Sequence, residues 1–189
     1  MKKIIALLTF LIAILILPST VSANLKQDAM QTNDPKVLVK YLKTTKAGKT
    51  LNVTKAAYTD DNYLVLTIKK KPKVGSLAQR VKFAKNVQKV MQAVPESSRK
   101  SGIAFYQGDK YGSNLIIAFS ADKVANSNYG SVVQNSSLGN LKKGTTACYF
   151  EPLFAKDDGN EAFKSSPDTQ GPQNEDGETL IERIQDVTE

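Results

Sequence analysis

The chain predicts an α+β domain: a two-layer, ββαββ-like antiparallel sheet with one long amphipathic helix packed on one face. Three observations carry that expectation. Leu51 to Tyr58 and Tyr63 to Lys69 flank the polar turn Thr59-Asp60-Asp61-Asn62, which is a hairpin pattern. Leu77 to Val94 repeats its apolar residues with a helical period and is stopped by Pro95. Ile103 to Gln107 and Asn114 to Ser120 flank Gly108-Asp109-Lys110-Tyr111-Gly112, a second tight reversal. A helix between two hairpins buries its apolar side most economically against one sheet.

Taken in order, the chain opens on a processing signal. Met1-Lys2-Lys3 is a positive n-region, Ile4 to Leu17 is almost wholly apolar, and Val21-Ser22-Ala23 places small or short side chains before a cleavage point. As a helix, Ile4 to Leu17 spans only about 21 Å, short of a hydrocarbon core of roughly 30 Å. Cleavage after Ala23 is therefore expected, with retention as an uncleaved anchor as the alternative. No cysteine follows the apolar run to accept a lipid. The product is expected to be secreted, extracellular or envelope-associated, and the short Lys-rich leader points to a bacterial export substrate.

Residues 24–50 form an N-terminal segment. Asn24 to Asn33 is polar and expected to be loose. Asp34-Pro35 then starts a short helix through about Thr45, with Asp as N-cap and Pro at the first helical position, although Val37-Leu38-Val39 could equally begin a strand, and Ala47-Gly48 ends the element. Residues 51–155 carry the α+β domain. In its first hairpin Leu64, Leu66 and Ile68 share one face and alternate with Tyr63, Val65 and Thr67. Ser76 is placed to cap the long helix. At 100° per residue Leu77, Val81, Ala84, Val87, Val90, Met91 and Val94 fall on one side, and Lys82, Lys85 and Lys89 fall opposite. After the second hairpin Ser120 is expected to cap a short helix, Ala121 to Ala125. A Ser-, Asn- and Gly-rich stretch with a weak strand at Val132-Val133 follows, and then a last strand, Thr145 to Phe150. Residues 156–189 read as an acidic, mostly disordered tail, with a linker-like Ser165 to Gly177 and one marginal helix within Glu178 to Val187.

Charge divides the chain unevenly. Residues 24–155 hold 21 Lys and Arg against 8 Asp and Glu, whereas residues 156–189 hold 3 against 10. Only Arg80, Arg99 and Arg183 of these cations are arginine. Lysine is a hydrated point charge without the planar fork that reads phosphates and base edges. The composition thus favours diffuse attraction to an anionic envelope polymer, a membrane surface or an acidic protein over sequence-specific nucleic-acid recognition. Lys69, Lys70, Lys71 and Lys73, with Lys82, Lys85 and Lys89, are the candidate anion-binding residues. A solvated basic face that serves solubility is the ordinary alternative. Arg80 points toward the apolar side of the helix wheel, either snorkelling past the sheet or forming a buried cation paired with Asp109 or Glu151. Tyr106 and Tyr111 offer a stacking surface near the second turn.

Catalytic chemistry finds little support. With no histidine, a Ser-His-Asp triad, a Cys-His nucleophile and an imidazole metal site are excluded. Ser97-Ser98-Arg99-Lys100 and Ser120-Ala121-Asp122-Lys123 fit Ser-x-x-Lys, a match that chance supplies in a chain this rich in both residues. Cys148, the single cysteine, reads as a small buried hydrophobe rather than a reactive thiol. Asp157-Asp158-Gly159-Asn160-Glu161 lacks the ligand spacing of a calcium loop. No metal or cofactor is expected. The sequence thus predicts a secreted, non-enzymatic binding module. Its rival is an inhibitor or immunity-type protein that blocks a partner through a sheet edge or the acidic tail.

Overall fold

Asp34 caps a helix as its sequence context requires. Its carboxylate accepts the Lys36 backbone N–H at 2.8 Å, and Pro35 occupies the first turn of the helix Pro35–Leu42. In the computed structural model, which describes residues 22–70, 77–109, 112–125, 144–150 and 170–188, this helix is α2. It is preceded by α1, helical over residues 22–31, where a loose segment was expected. Leu25 and Ala29, four residues apart, give that polar stretch a narrow apolar stripe against the core, enough to fix one face. Residues 1–21, which hold most of the expected leader, lie outside the described residues. Among the described residues no helix is long and apolar enough to cross a membrane.

Ala47-Gly48 does not end the helical region. A new helix, α3, runs Lys46–Leu51, and the Thr45 hydroxyl accepts the Gly48 N–H at 3.0 Å as its cap. Gly48 is used for closeness. A Cβ there would lie 2.1 Å from the Leu42 carbonyl oxygen, so only glycine lets α3 turn directly off the end of α2. Asn52, in the left-handed region at φ 54°, ends α3 and releases the chain into the sheet.

The strands are β1 (Val53–Tyr58), β2 (Tyr63–Ile68), β3 (Gly102–Asp109), β4 (Gly112–Ser120) and β5 (Ala147–Phe150), in spatial order β1-β2-β3-β4-β5. Between β2 and β3 runs the long helix α4 (Leu77–Ala93), which a 3₁₀ turn, Glu96–Ser98, follows after Pro95. The short helix α5 (Ala121–Ala125) follows β4. The α+β class holds, but the sheet is mixed rather than antiparallel. β1–β2, β3–β4 and β4–β5 pair antiparallel, while β2 and β3 pair parallel. The reason lies in the connection. A helical crossover carries the chain from the end of β2 back to the edge of the sheet where β2 began, so the strands it joins run the same way. Ser76, Lys110, Tyr111 and Val132-Val133 lie outside the described residues.

Nor is the sheet covered on one face only. One row of cross-strand neighbours, Leu66, Phe105, Ile117 and Cys148, packs with Phe83, Ala84, Val87, Val90 and Met91 of α4. The alternate row, Val65, Ala104, Ala118 and Ala147, belongs to a second buried cluster on the other face. Both faces of this mixed sheet are therefore buried. Gly102, where β3 begins, has φ +155°, and a Cβ there would sit 2.3 Å from the Phe119 carbonyl oxygen and 2.5 Å from the Tyr63 ring. Gly102→Ala is expected to destabilise the domain by about 2–3 kcal/mol, seen as a lower urea midpoint with an unchanged slope.

The second face is closed by the acidic C-terminal segment. Its helix α6 (Leu180–Asp186) buries Leu180, Ile181 and Ile184 in the cluster of Val65, Ala104 and Ala118. Thr179 caps it in a capping box: the Glu182 carboxylate accepts the Thr179 N–H at 2.7 Å, and the Thr179 hydroxyl accepts the Glu182 N–H. The Thr179 N–H and, second, the Thr179 hydroxyl, which also donates to the Glu182 carboxylate at 2.8 Å, hold the Glu182 carboxyl below its ordinary value. A depressed folded value means that this contribution is fully present above the unfolded carboxylate's pKa. It is lost as pH falls through the folded value, that is, progressively below about pH 4.5. Amide exchange in residues 180–186 is therefore expected to accelerate relative to the sheet on acidification, and Glu182→Gln to flatten that dependence.

Candidate functional site

The expected cations separate into distinct places. Lys82, Lys85 and Lys89 are exposed along α4. Lys69 and Lys70 are exposed just beyond β2, where their backbone N–H groups donate to the carbonyls of Asn52 and Leu51, each at 3.1 Å. They therefore lie beside the end of α3. Lys71 and Lys73 lie outside the described residues, and so does the side chain of Arg80, although its backbone belongs to α4.

The α4 lysines border a groove of ≈ 480 Å³ where α3 packs on α4. Lys46 and Thr50 of α3 line it together with Lys82, Lys85, Asn86 and Lys89 of α4. Ala47, Ala78 and Val81 contribute the apolar part of its lining. Thr50 donates its hydroxyl to the Lys46 carbonyl at 2.8 Å, and the Asn86 amide donates to the Lys82 carbonyl at 2.8 Å. Both polar side chains are thus tied to their own helices. No carboxylate among the described residues forms an ion pair with any of the four lysines, and α4 itself carries no acidic residue. Four ammonium groups on two helices accordingly surround one partly apolar groove with no carboxylate partner among the described residues. Sequence reasoning missed Lys46 and Thr50, because Gly48 was read as a terminator. Thr45, an N-cap residue directly before Lys46-Ala47, was the available signal.

A buried cation does occur, at Arg183 of α6. Only 5% exposed, it donates from Nη2 to Asp61 Oδ2 at 3.0 Å and to the Pro172 carbonyl at 3.3 Å, and from Nη1 to the Glu178 carbonyl. Asp61 sits in the first hairpin turn, where it also accepts the Thr59 hydroxyl at 2.6 Å. The pair latches the tail to the β1–β2 turn. Tyr106 is not an exposed stacking platform: it is buried in the cluster that α6 covers.

The Ser-x-x-Lys matches do not assemble. The Ser97 hydroxyl donates to the Met30 carbonyl at 3.3 Å. The Ser120 hydroxyl donates to Asp122, while the Lys123 ammonium donates to the Thr145 carbonyl at 2.7 Å. Cys148 is fully buried among the α4-facing residues. Against protein-family models, curated proteins and solved structures, the chain finds no match.

Proposed function

We propose that the protein is an exported, non-enzymatic binding module that uses the lysine-lined α3–α4 groove to engage an anionic partner of the cell envelope or an acidic protein. Lys69 and Lys70, exposed beside the end of α3, add to the basic character of that side, and Lys71 and Lys73 belong to the same candidate set by sequence alone. The observation that carries this reading is the set of Lys46, Lys82, Lys85 and Lys89 around one groove, none paired with a carboxylate among the described residues. A basic face that served solubility alone would need no groove and no convergence of two helices. Each lysine near an anionic surface contributes about 1 kcal/mol, so the four together reach micromolar affinity only in combination with other contacts.

The test is a binding titration of the mature chain against inorganic polyphosphate, phosphatidylglycerol vesicles and an acidic peptide, repeated across salt concentrations. Exposed charges are screened within about 10 Å at 0.1 M salt, so affinity should fall steeply as salt rises. Binding to none of these probes, or binding that salt leaves unchanged, would overturn the reading.

A further inference from the structure

We infer that the occupant of the α3–α4 groove is an acidic amphipathic helix of a partner protein, an assignment that rests on the binding function above and narrows it. Charge alone does not select this occupant. The lining does, because between the lysines lie Ala47, Ala78 and Val81, all small or branched apolar residues. A phosphate polymer gains nothing from apolar surface, and a membrane surface does not enter a recess between two helices. A third helix fits both features, since its apolar ridge seats in the groove between neighbours while its flanks stay polar.

The spacing agrees. Lys82, Lys85 and Lys89 span seven residues, about 10.5 Å along α4. A helix lying alongside repeats its own side chains every three or four residues, so carboxylates on one flank meet this stripe in step. Lys46, on α3, meets the opposite flank. The groove, ≈ 480 Å³, has room for a few apolar side chains but not for a helix backbone, so the partner lies across its mouth. The chain's own acidic helix is not this occupant. Leu180, Ile181 and Ile184 of α6 are buried on the opposite face of the sheet.

Two labelled peptides of equal charge separate the possibilities. Both carry glutamates on two flanks of a helical pattern; one has leucines at every third or fourth position between them, and the other has glutamines there. Fluorescence anisotropy with the mature chain is expected to show the leucine peptide binding about tenfold more tightly, the size of effect that partial burial of two or three apolar side chains gives. It should gain helicity on binding. Ala78→Gln fills the groove at an exposed position with another good helix former. This variant should abolish the difference between the peptides. Equal affinity for the two peptides, a difference that survives Ala78→Gln, or a preference for polyphosphate or anionic vesicles would overturn the helix assignment and leave the basic-groove reading standing. Absence of salt-sensitive binding to every probe would overturn both.

Discussion

Deleting residues 170–189 is expected to lower the free energy of unfolding by about 3–5 kcal/mol, although the segment reads in sequence as part of an acidic, mostly disordered tail with at most a short helix. The deletion removes Leu180, Ile181 and Ile184, all buried on the sheet's second face. Each such side chain contributes roughly 1.5–3 kcal/mol when fully buried, and the ordering of the segment offsets part of the sum. What remains is exposed: Val65, Ala104, Ile116 and Ala118 would face water across several strands. A lower urea midpoint and new binding of a hydrophobic dye are the expected readouts. Ile184→Asp, which places a carboxylate at a position with no solvent exposure, should reproduce most of the loss within a full-length chain. An unchanged midpoint in both proteins would show that α6 contributes no stability. The consequence reaches functional work too. A tail deletion that abolishes an activity would report unfolding of the sheet, so it cannot by itself assign an inhibitory role to the tail.

Local periodicity explains which parts of this fold were readable. The alternation of Leu64, Leu66 and Ile68 with Tyr63 and Val65 fixed the two faces of β2, and the 100° spacing from Ala84 to Val94 fixed the buried side of α4. Both depend on residues within one element, which is what a sequence displays. The docking of α6 depends on residues that sequence keeps apart. Ala104, Ala118 and Ala147 are successive neighbours across β3, β4 and β5, and together with Val65 they leave a shallow row of small side chains. Gly171 approaches this row so closely that a Cβ there would lie 2.8 Å from the Ala147 methyl group. No single strand shows that row, and the flanking Ser, Pro and Gly composition of the tail argued for disorder. Arg183 and Asp61 pair across 122 residues for the same reason. The candidate site divides in the same way: the α4 stripe was legible from one helix, whereas Lys46 joined it only when α3 was recognised and packed.

Replacing Lys82, Lys85 and Lys89 together by glutamine is expected to weaken binding to an anionic partner roughly 100-fold, from about 1 kcal/mol for each charge removed. The same replacement is expected to stabilise the fold. Lys85 and Lys89 are four residues apart and Lys82 and Lys85 three apart, so each pair repels along the helix by about 0.2–0.5 kcal/mol. No acidic residue of α4 relieves that repulsion, and glutamine matches lysine in helix propensity. The urea midpoint should therefore rise slightly while affinity falls, a pairing of opposite signs that damage to the fold would not produce. Loss of both stability and binding would mean that the lysine stems pack against Ala47 and Val81 as structural cover. Retained binding would remove the stripe from the site altogether. A rise in stability with a loss of binding would identify α4 as a helix that keeps a destabilising row of like charges for the partner it meets.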